Sequence, residues 1–330
     1  MELDNVGKLR IGWIGLGAMG AEMARNLQVH RSTAGLSSIN VHNRTMAKCE
    51  PLAAHGAVVL ESASAVANAS DVVFLSLFND DAVKSVIGEI LGAVAVADST
   101  EQPLVIADMT TVHPSTTQWV LDEVAWYMSQ EDKNTENPST TRRRPVEFSQ
   151  TPVWGAPPAA KAARLVFVSS GGAHRSILES IAVPAFARTS IDCGENPVRA
   201  AKFKILGNFM IAAVIESLGQ AMAVAEETGI GRELYNEFVK EVFPIPPVAG
   251  YAAKMTDDGG EASKTRVNFS VPGGMKDVGY AIDLAKSVGM RLPVAELAYE
   301  HLEWVLNNGD PSWDWSSLVY ALRKTNMKKP

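Results

Sequence analysis

At 330 residues the chain is long enough for two domains, and with 46% hydrophobic and 20% charged residues it can bury a sizeable core. Its formal net charge of −7 argues against nucleic acid or an anionic membrane as the main partner, so an anionic ligand needs a local positive site.

The first strand is expected at Arg10–Ile14, and a helix at Ala18–Val29. Between them runs Gly15-Leu16-Gly17-Ala18-Met19-Gly20, the pattern G-x-G-x-x-G. Gly15 permits a sharp turn, Gly17 has no Cβ and lets backbone approach a phosphate, and Gly20 lets the helix pack close to the strand. A dinucleotide pyrophosphate would then rest on N–H groups at the helix N-terminus. An ordinary glycine-rich βα loop reads the same way, but the strand before and the helix after favour a nucleotide. The second strand, Ser38–His42, leads into Asn43-Arg44-Thr45. NAD sites place an Asp or Glu here for the ribose hydroxyls; this chain has none, while Arg44 offers a forked donor and Thr45 a hydroxyl. NADP(H) is therefore the expected cofactor.

Met46–His55 reads as helical and Ala57–Leu60 as extended. Asp71–Leu77 is a buried parallel-type strand, and Leu77 and Phe78 at its end are further expected cofactor contacts. A helix at Asp80–Leu91, a strand at Leu104–Asp108 and a helix opening at Pro114 complete a β-α series that implies a doubly wound sheet of the Rossmann type. Ser129 to Arg144 breaks the pattern. It is polar and without hydrophobic period, and 130–145 reads as a mobile surface insertion, its arginines Arg142, Arg143 and Arg144 a solvated charge run more readily than a phosphate site. Strands follow at Val146–Val153 and Leu165–Ser169, then a turn at Gly171-Gly172.

After Pro197 long helices take over. Val198–Thr228 carries Phe203, Leu206, Phe209, Met210, Ala213, Val214 and Leu218 at helical spacing, and further helices are expected around Leu234–Val242, Met275–Val288, Val294–Leu306 and Trp315–Arg323. The fold class is α/β: an N-terminal Rossmann domain over 1–195, then an all-α domain over 196–330 built on the long helix. No internal repeat is visible. Cys49 and Cys193 cannot build a disulfide framework and show no metal-ligand spacing, so no metal is expected. That cysteine usage and a polar, acidic start from Met1 to Arg10, unlike a signal or transit peptide, lead to a cytoplasmic expectation. No apolar run is expected to reach membrane-spanning length.

Lys204 and Asn208 stand four residues apart and share one helix face. A Lys beside a nicotinamide can protonate a carbonyl oxygen during hydride transfer, and an amide can hold the substrate. Lys202 is the rival; it has Leu206 at i+4 and lies roughly 160° around the helix. Most Lys–Asn pairs are simply solvated surface.

The chain resembles the β-hydroxyacid dehydrogenase family, which includes 3-hydroxyisobutyrate dehydrogenase and the glyoxylate/succinic semialdehyde reductases. The glycine turn with Met23-Ala24-Arg25-Asn26-Leu27 is close to its cofactor signature, and Asn43-Arg44-Thr45 is similar to its NADPH-type members. Asp108-Met109-Thr110-Thr111-Val112-His113-Pro114 matches its Asp-x-Ser-Thr-Val-x-Pro with Thr110 in place of Ser. Lys204-Ile205-Leu206-Gly207-Asn208 matches Lys-x-x-x-Asn, Lys276-Asp277 a C-terminal Lys-Asp, and Asn308 to Ser316 its C-terminal stretch. The resemblance implies that Lys204 is catalytic and Asn208 assists at the substrate, that Thr111 lies near the nicotinamide with Thr110 on the substrate side, and that Lys276 reaches the cofactor. It implies a homodimer joined through the helical domains, for which the alanines at 212, 213, 221, 223 and 225 offer small faces.

Two departures stand out. The family's substrate loop reads Ala-Pro-Val-Ser-Gly-Gly, whereas here Thr151-Pro152-Val153-Trp154-Gly155-Ala156 puts Trp154 at the Ser and Ala156 at the second Gly. Either Trp154 turns into the core, or Trp154, Gly155 and Ala156 line a more apolar substrate pocket. Before the long helix, Gly194 to Arg199 lacks the usual G-x-G. Phe243-Pro244-Ile245-Pro246-Pro247 reads as a pocket wall or a helix linker. The expectation is an NADPH-dependent oxidoreductase acting on a small carbonyl or hydroxy compound. Its rivals are an imine reductase or reductive aminase, which usually lacks the Lys, and an NADPH-binding assembly or sensor protein without turnover.

Overall fold

The computed structural model describes residues 3–94, 96–98, 102–130 and 141–325. They divide into two compact units, Met1–Lys204 and Ile205–Pro330.

In the first unit, short apolar runs form Ile11–Ile14 (β1), Asn40–His42 (β2), Val58–Val59 (β3), Val72–Leu75 (β4), Leu104–Asp108 (β5) and Val146–Gln150 (β6). All pair in parallel, in the order β3-β2-β1-β4-β5-β6. That is the order of a dinucleotide-binding sheet, and it reverses between β1 and β4, where ligands collect at the carboxyl ends of strands. Every residue of β1, β4 and β5 is buried, as follows when both faces are covered. Helices Ala18–Thr33 (α1), Ala63–Asn68 (α2), Asp80–Ala93 (α3) and Pro114–Ser129 (α4) lie between the strands in sequence. On one face Trp13 and Phe74 lie 5.5 Å apart and both take Phe186 edge-on. On the other, Ile14, Val73, Leu75 and Ile106 pack with Val83, Ile87 and Ile90 of α3.

The expected strand Val146–Val153 is two strands. β6 ends at Gln150, and Val153–Trp154 (β7) belongs to a second sheet with Leu165–Ser169 (β8) and Ala187–Asp192 (β9), in the order β9-β8-β7. Pro152 has no N–H to continue a ladder, and this places the break. Arg175–Ala185 (α5) was not expected as a helix; Pro184 and the non-helical Val183 near its end hide its apolar stripe Ile177, Leu178, Ile181 and Ala182. Met46–His55 starts as a 3-10 turn, Met46–Cys49, before the α-helical Glu50–Ala53.

Residues 131–140 of the expected insertion lie outside the described residues. Thr141–Arg143 is a strand, antiparallel to Val96–Asp98. Arg144 is not a solvated charge: it is buried, and it donates to the carbonyls of Gln102 (2.9 Å), Ala67 (3.1 Å) and Ser70 (2.8 Å) and to Asp71 Oδ1 (3.2 Å). Arg10 grips the same carboxylate at 2.6 Å. A guanidinium fork can satisfy several acceptors at once, a role that composition and periodicity do not reveal.

The long helix is Pro197–Glu227 (α6). In the second unit its Ala212, Ile215, Leu218 and Met222 pack into a core with residues from Arg232–Val242 (α7), Pro246–Thr256 (α8), Val271–Ser287 (α9), Pro293–Asn308 (α10) and Val319–Thr325 (α11). Leu206 and Met210, expected on the packed stripe, are exposed. Contrary to expectation, α6 is long and apolar enough by composition to cross a membrane, with a mean hydropathy of 1.4 over its best window. Lys204, Asn208 and Glu216 interrupt any continuous apolar run, which is why the stretch escapes a reading by runs. Buried polar side chains also suit a helix packed in protein: Glu216 meets His301 Nδ1 at 3.0 Å.

Burial pushes the Asp71 carboxyl up, but the hydrogen bonds and charge of Arg10 and the charge of Arg144 outweigh it and hold the group below its ordinary value. Its stabilisation is therefore present above the unfolded pKa of about 4 and fades as pH falls below that. Asp71→Ala leaves Arg144 buried beside no carboxylate and is expected to lower stability by about 3 kcal/mol, read as a shift in urea midpoint at pH 7.

Candidate functional site

At the carboxyl end of β1 the chain turns on Gly15, whose φ is +99°. A Cβ there would stand 2.3 Å from Ser76 O, and one on Gly20 would stand 2.2 Å from Gly15 O, so strand, turn and helix are as close as backbone allows. Gly17 is different. Open space lies where its Cβ would go, and no side chain caps α1 among the described residues. An uncapped helix start with space beside it suits a pyrophosphate oxygen. Leu16 is buried and its N–H donates to Asn43 Oδ1 at 2.9 Å; Asn43 Nδ2 donates in turn to Thr45 O at 2.9 Å. Ala18 and Met19 open α1, while Arg44 and Thr45 are exposed beyond β2. These residues fit the diphosphate and the adenosine ribose of a dinucleotide.

Leu77 N–H donates to Thr110 Oγ1 at 2.9 Å, which ties the loop after β4 to the loop after β5. Phe78 is 68% exposed and Thr111 partly buried. Thr110 is buried and its N–H donates to Asp108 Oδ1 at 2.9 Å, while Gln150 Nε2 donates to the carbonyls of Asp108 and Thr110. Burial raises the Asp108 carboxyl to about 6, against the pull of hydrogen bonds from Thr110 and Gln150. Its Oδ2 has no partner among the described residues, which also favours the neutral acid. Sequence reasoning gave Asp108 and Gln150 no part; the Asp in the matched motif was the available signal.

Lys204 is buried and Lys202 exposed, which separates the two candidates. Lys204 Nζ donates to Val153 O at 2.9 Å and lies 5.3 Å from the centroid of the Trp154 ring. Trp154 is partly buried against Val168, Cys193 and Ala200 and takes Phe203 edge-on at 4.9 Å. Its Nε1 is buried with no partner among the described residues, an omission of about 1–3 kcal/mol. Trp154 thus packs against a small core and touches Lys204 as well. Gly155 is exposed, and Ala156 precedes the short helix Pro157–Lys161.

In the second unit, Asn208 Nδ2 donates to Asp277 Oδ2 at 2.5 Å. Lys276 Nζ stands 3.1 Å from Asp277 Oδ1 and 5.2 Å from the Tyr280 ring centroid. Asp277, which sequence reasoning left without a role, orients the Asn208 amide; its place beside Lys276 was the only hint.

A sheet in this order with a glycine turn at its switch point, followed by a helical domain, is the architecture of a two-domain NAD(P)-binding dehydrogenase. Residues 10–190 match the NAD binding domain of 6-phosphogluconate dehydrogenase, and residues 199–322 match the NAD-binding domain of NADP-dependent 3-hydroxyisobutyrate dehydrogenase. The chain belongs to the β-hydroxyacid dehydrogenase family. It is 30% identical to the NADH-dependent oxidoreductase ucdB of Aspergillus ustus, across 92% of this chain and 96% of that protein. It is 25% identical to the mitochondrial 3-hydroxyisobutyrate dehydrogenase of Drosophila melanogaster, across 96% and 90%. Among solved structures, Mycobacterium tuberculosis 3-hydroxyisobutyrate dehydrogenase with L-serine shares the fold at a TM-score of 0.75 and 21% identity, covering 96% of this chain and 99% of that one. Psf3 in complex with NADP+ and 2-OPP shares it at 0.74 and 20%, covering 94% and 99%. A Streptomyces aurantiacus imine reductase follows at 0.57 and 20%, covering 97% and 100%.

A folded-state pKa raised above the unfolded value gives stability that is complete below about 4 and lost as pH rises through about 6. Ionisation of Asp108 is therefore expected to remove about 1 kcal/mol between pH 5 and pH 8. Asp108→Asn should flatten that part of the profile, measured as the difference between urea midpoints at the two pH values.

Proposed function

We propose that this chain is an NADPH-dependent oxidoreductase that interconverts a small carbonyl compound and its alcohol, with Lys204 as the acid and base. The observation that carries this reading is the buried Lys204, its Nζ held by the Val153 carbonyl at 2.9 Å. When bound, the nicotinamide supplies or accepts the hydride at the carbonyl carbon. Lys204 Nζ gives a proton to the substrate oxygen as the carbonyl becomes an alcohol, and takes it back in the reverse direction. Asn208, one helical turn on and oriented by Asp277, holds that oxygen. Gly15 to Gly20 bind the diphosphate through backbone N–H groups, Leu77, Phe78 and Thr111 flank the remainder of the cofactor, and the family resemblance adds Lys276. Thr110, Trp154, Gly155 and Ala156 border the carbonyl compound.

The preference for NADPH rests on Asn43-Arg44-Thr45. No carboxylate follows β2 to repel a 2′-phosphate, and the exposed Arg44 offers a fork of N–H donors. The Aspergillus relative is NADH-dependent by its name, so this is where the chain is free to differ from it.

Lys204→Ala is expected to lower kcat by at least 1,000-fold while NADPH binding, followed by fluorescence, stays within twofold. Arg44→Ala should weaken NADPH much more than NADH, and equal losses would overturn the cofactor preference. A panel of semialdehydes and ketones set against cyclic imines separates this reading from an imine reductase. NADPH binding without oxidation across the whole panel would instead favour a sensor.

We also propose that the chain forms a homodimer through its helical unit. Val224 on α6, Ile230, and Leu234, Phe238 and Val242 on α7 are exposed, and an open groove of about 510 Å³ runs between α6 and α7 beside Gln220 and Tyr235. A clustered apolar surface of this kind marks an interaction face. Light scattering is expected to give twice the chain mass, and Phe238→Glu with Val224→Arg to halve it.

A further inference from the structure

Trp154 stands where the resembling family has a serine, and its orientation is informative. The ring face lies beneath the Lys204 ammonium, 5.3 Å from Nζ to the centroid. Phe203, the neighbour of Lys204 on α6, meets the ring edge-on at 4.9 Å and 85°. Val168, Cys193 and Ala200 back it. In this pose the indole N–H is buried and finds no acceptor among the described residues. A tryptophan seated only to fill space would turn its polar edge toward an acceptor or to water. The pose kept here leaves that edge unmet and presents the π face to the charge.

Burial strips water from a lysine and disfavours its charged form. Beside Lys204 the Val153 carbonyl accepts from Nζ at 2.9 Å and Trp154 presents its electron-rich face, and both oppose this. We propose that Trp154 is a positioning residue that keeps the Lys204 ammonium protonated and aimed, doing by cation–π attraction what a serine cannot. The proposal rests on the reading of Lys204 as the acid and base of the reaction. The titratable groups described behind the ring carry no net charge between them. Cys193, behind the ring, is a neutral thiol pushed up by burial. Asp192 and Arg199 near it are of opposite sign, and Lys202 is exposed.

The test replaces the ring with an apolar side chain that still excludes water, Trp154→Leu or Trp154→Met, beside Trp154→Phe, which keeps a π face. The full chain is labelled with 13Cε-lysine, and Lys204 is identified as the signal missing from Lys204→Met. The Lys204 midpoint is expected about one pH unit lower in the Leu or Met variant, a tenfold loss of proton affinity, and less than half a unit lower in the Phe variant. Using NADPH and succinic semialdehyde as probe substrate, the basic limb of kcat should move with the midpoint. An unmoved midpoint, or an equal shift in the Phe variant, overturns the proposal. Turnover retained in Lys204→Met overturns the acid–base reading instead, so the two failures are told apart. Trp154→Met serves if Trp154→Leu does not fold.

Discussion

Three backbone segments meet within contact distance at the end of β1, and the geometry of the nucleotide turn depends on that meeting. Gly15 lies against the carbonyl of Ser76, and Gly20 lies against the carbonyl of Gly15, with room for hydrogen but not for carbon in either place. The first turn of α1, the end of β4 and the sharp turn are thereby fixed relative to one another by backbone contact. Beside this tight point, Gly17 looks onto open space. Glycine thus serves opposite ends within six residues: contact on two sides and vacancy on the third. The indole N–H of Trp13, buried below, donates to Gly15 O at 3.1 Å and anchors the turn to the aromatic core.

Features with a period or a motif were legible in the sequence. The six parallel strands, the glycine turn, the long helix and the resemblance all rest on such local signals, and the strand order follows from the rules for βαβ units. What escaped were roles set by three-dimensional neighbours. Arg144 belonged to a polar run by composition, yet it closes three carbonyls from two segments and a carboxylate. Pro152 looked like part of a strand until its missing N–H divided one sheet from the next. Leu206 and Met210 fit an apolar stripe but lie on its outer side. At the site, the choice between Lys202 and Lys204 was a matter of helix angle that only burial resolves. Trp154 presented two alternatives to a sequence reader, core or pocket lining; the structure seats it against a small core with the Lys204 ammonium over its ring.

The helical unit, like the sheet unit with its Arg144 and Asp71, holds buried charge. Lys254 and Asp314 pair at 2.8 Å deep in it, and Asp314 also accepts from the backbone of Asn268 and Phe269 and from Ser316. Glu216 holds His301 and Gln220. The two carboxylates, Asp314 and Glu216, each accept from more than one partner, the condition under which a buried charge is tolerated. Such pairs set which helix faces which, where a core rich in alanine would otherwise permit sliding.

Asn43 has a consequence for how nucleotide preference can change. One amide accepts from Leu16 N–H and donates to Thr45 O, so the phosphate turn and the segment after β2 are pinned together by a single side chain. Arg44, between the pinned residues, points into solvent and carries none of that framework. In the proposed reading, the strut and the reader of the 2′-phosphate are therefore different residues, and residue 44 can be exchanged while the turn keeps its shape.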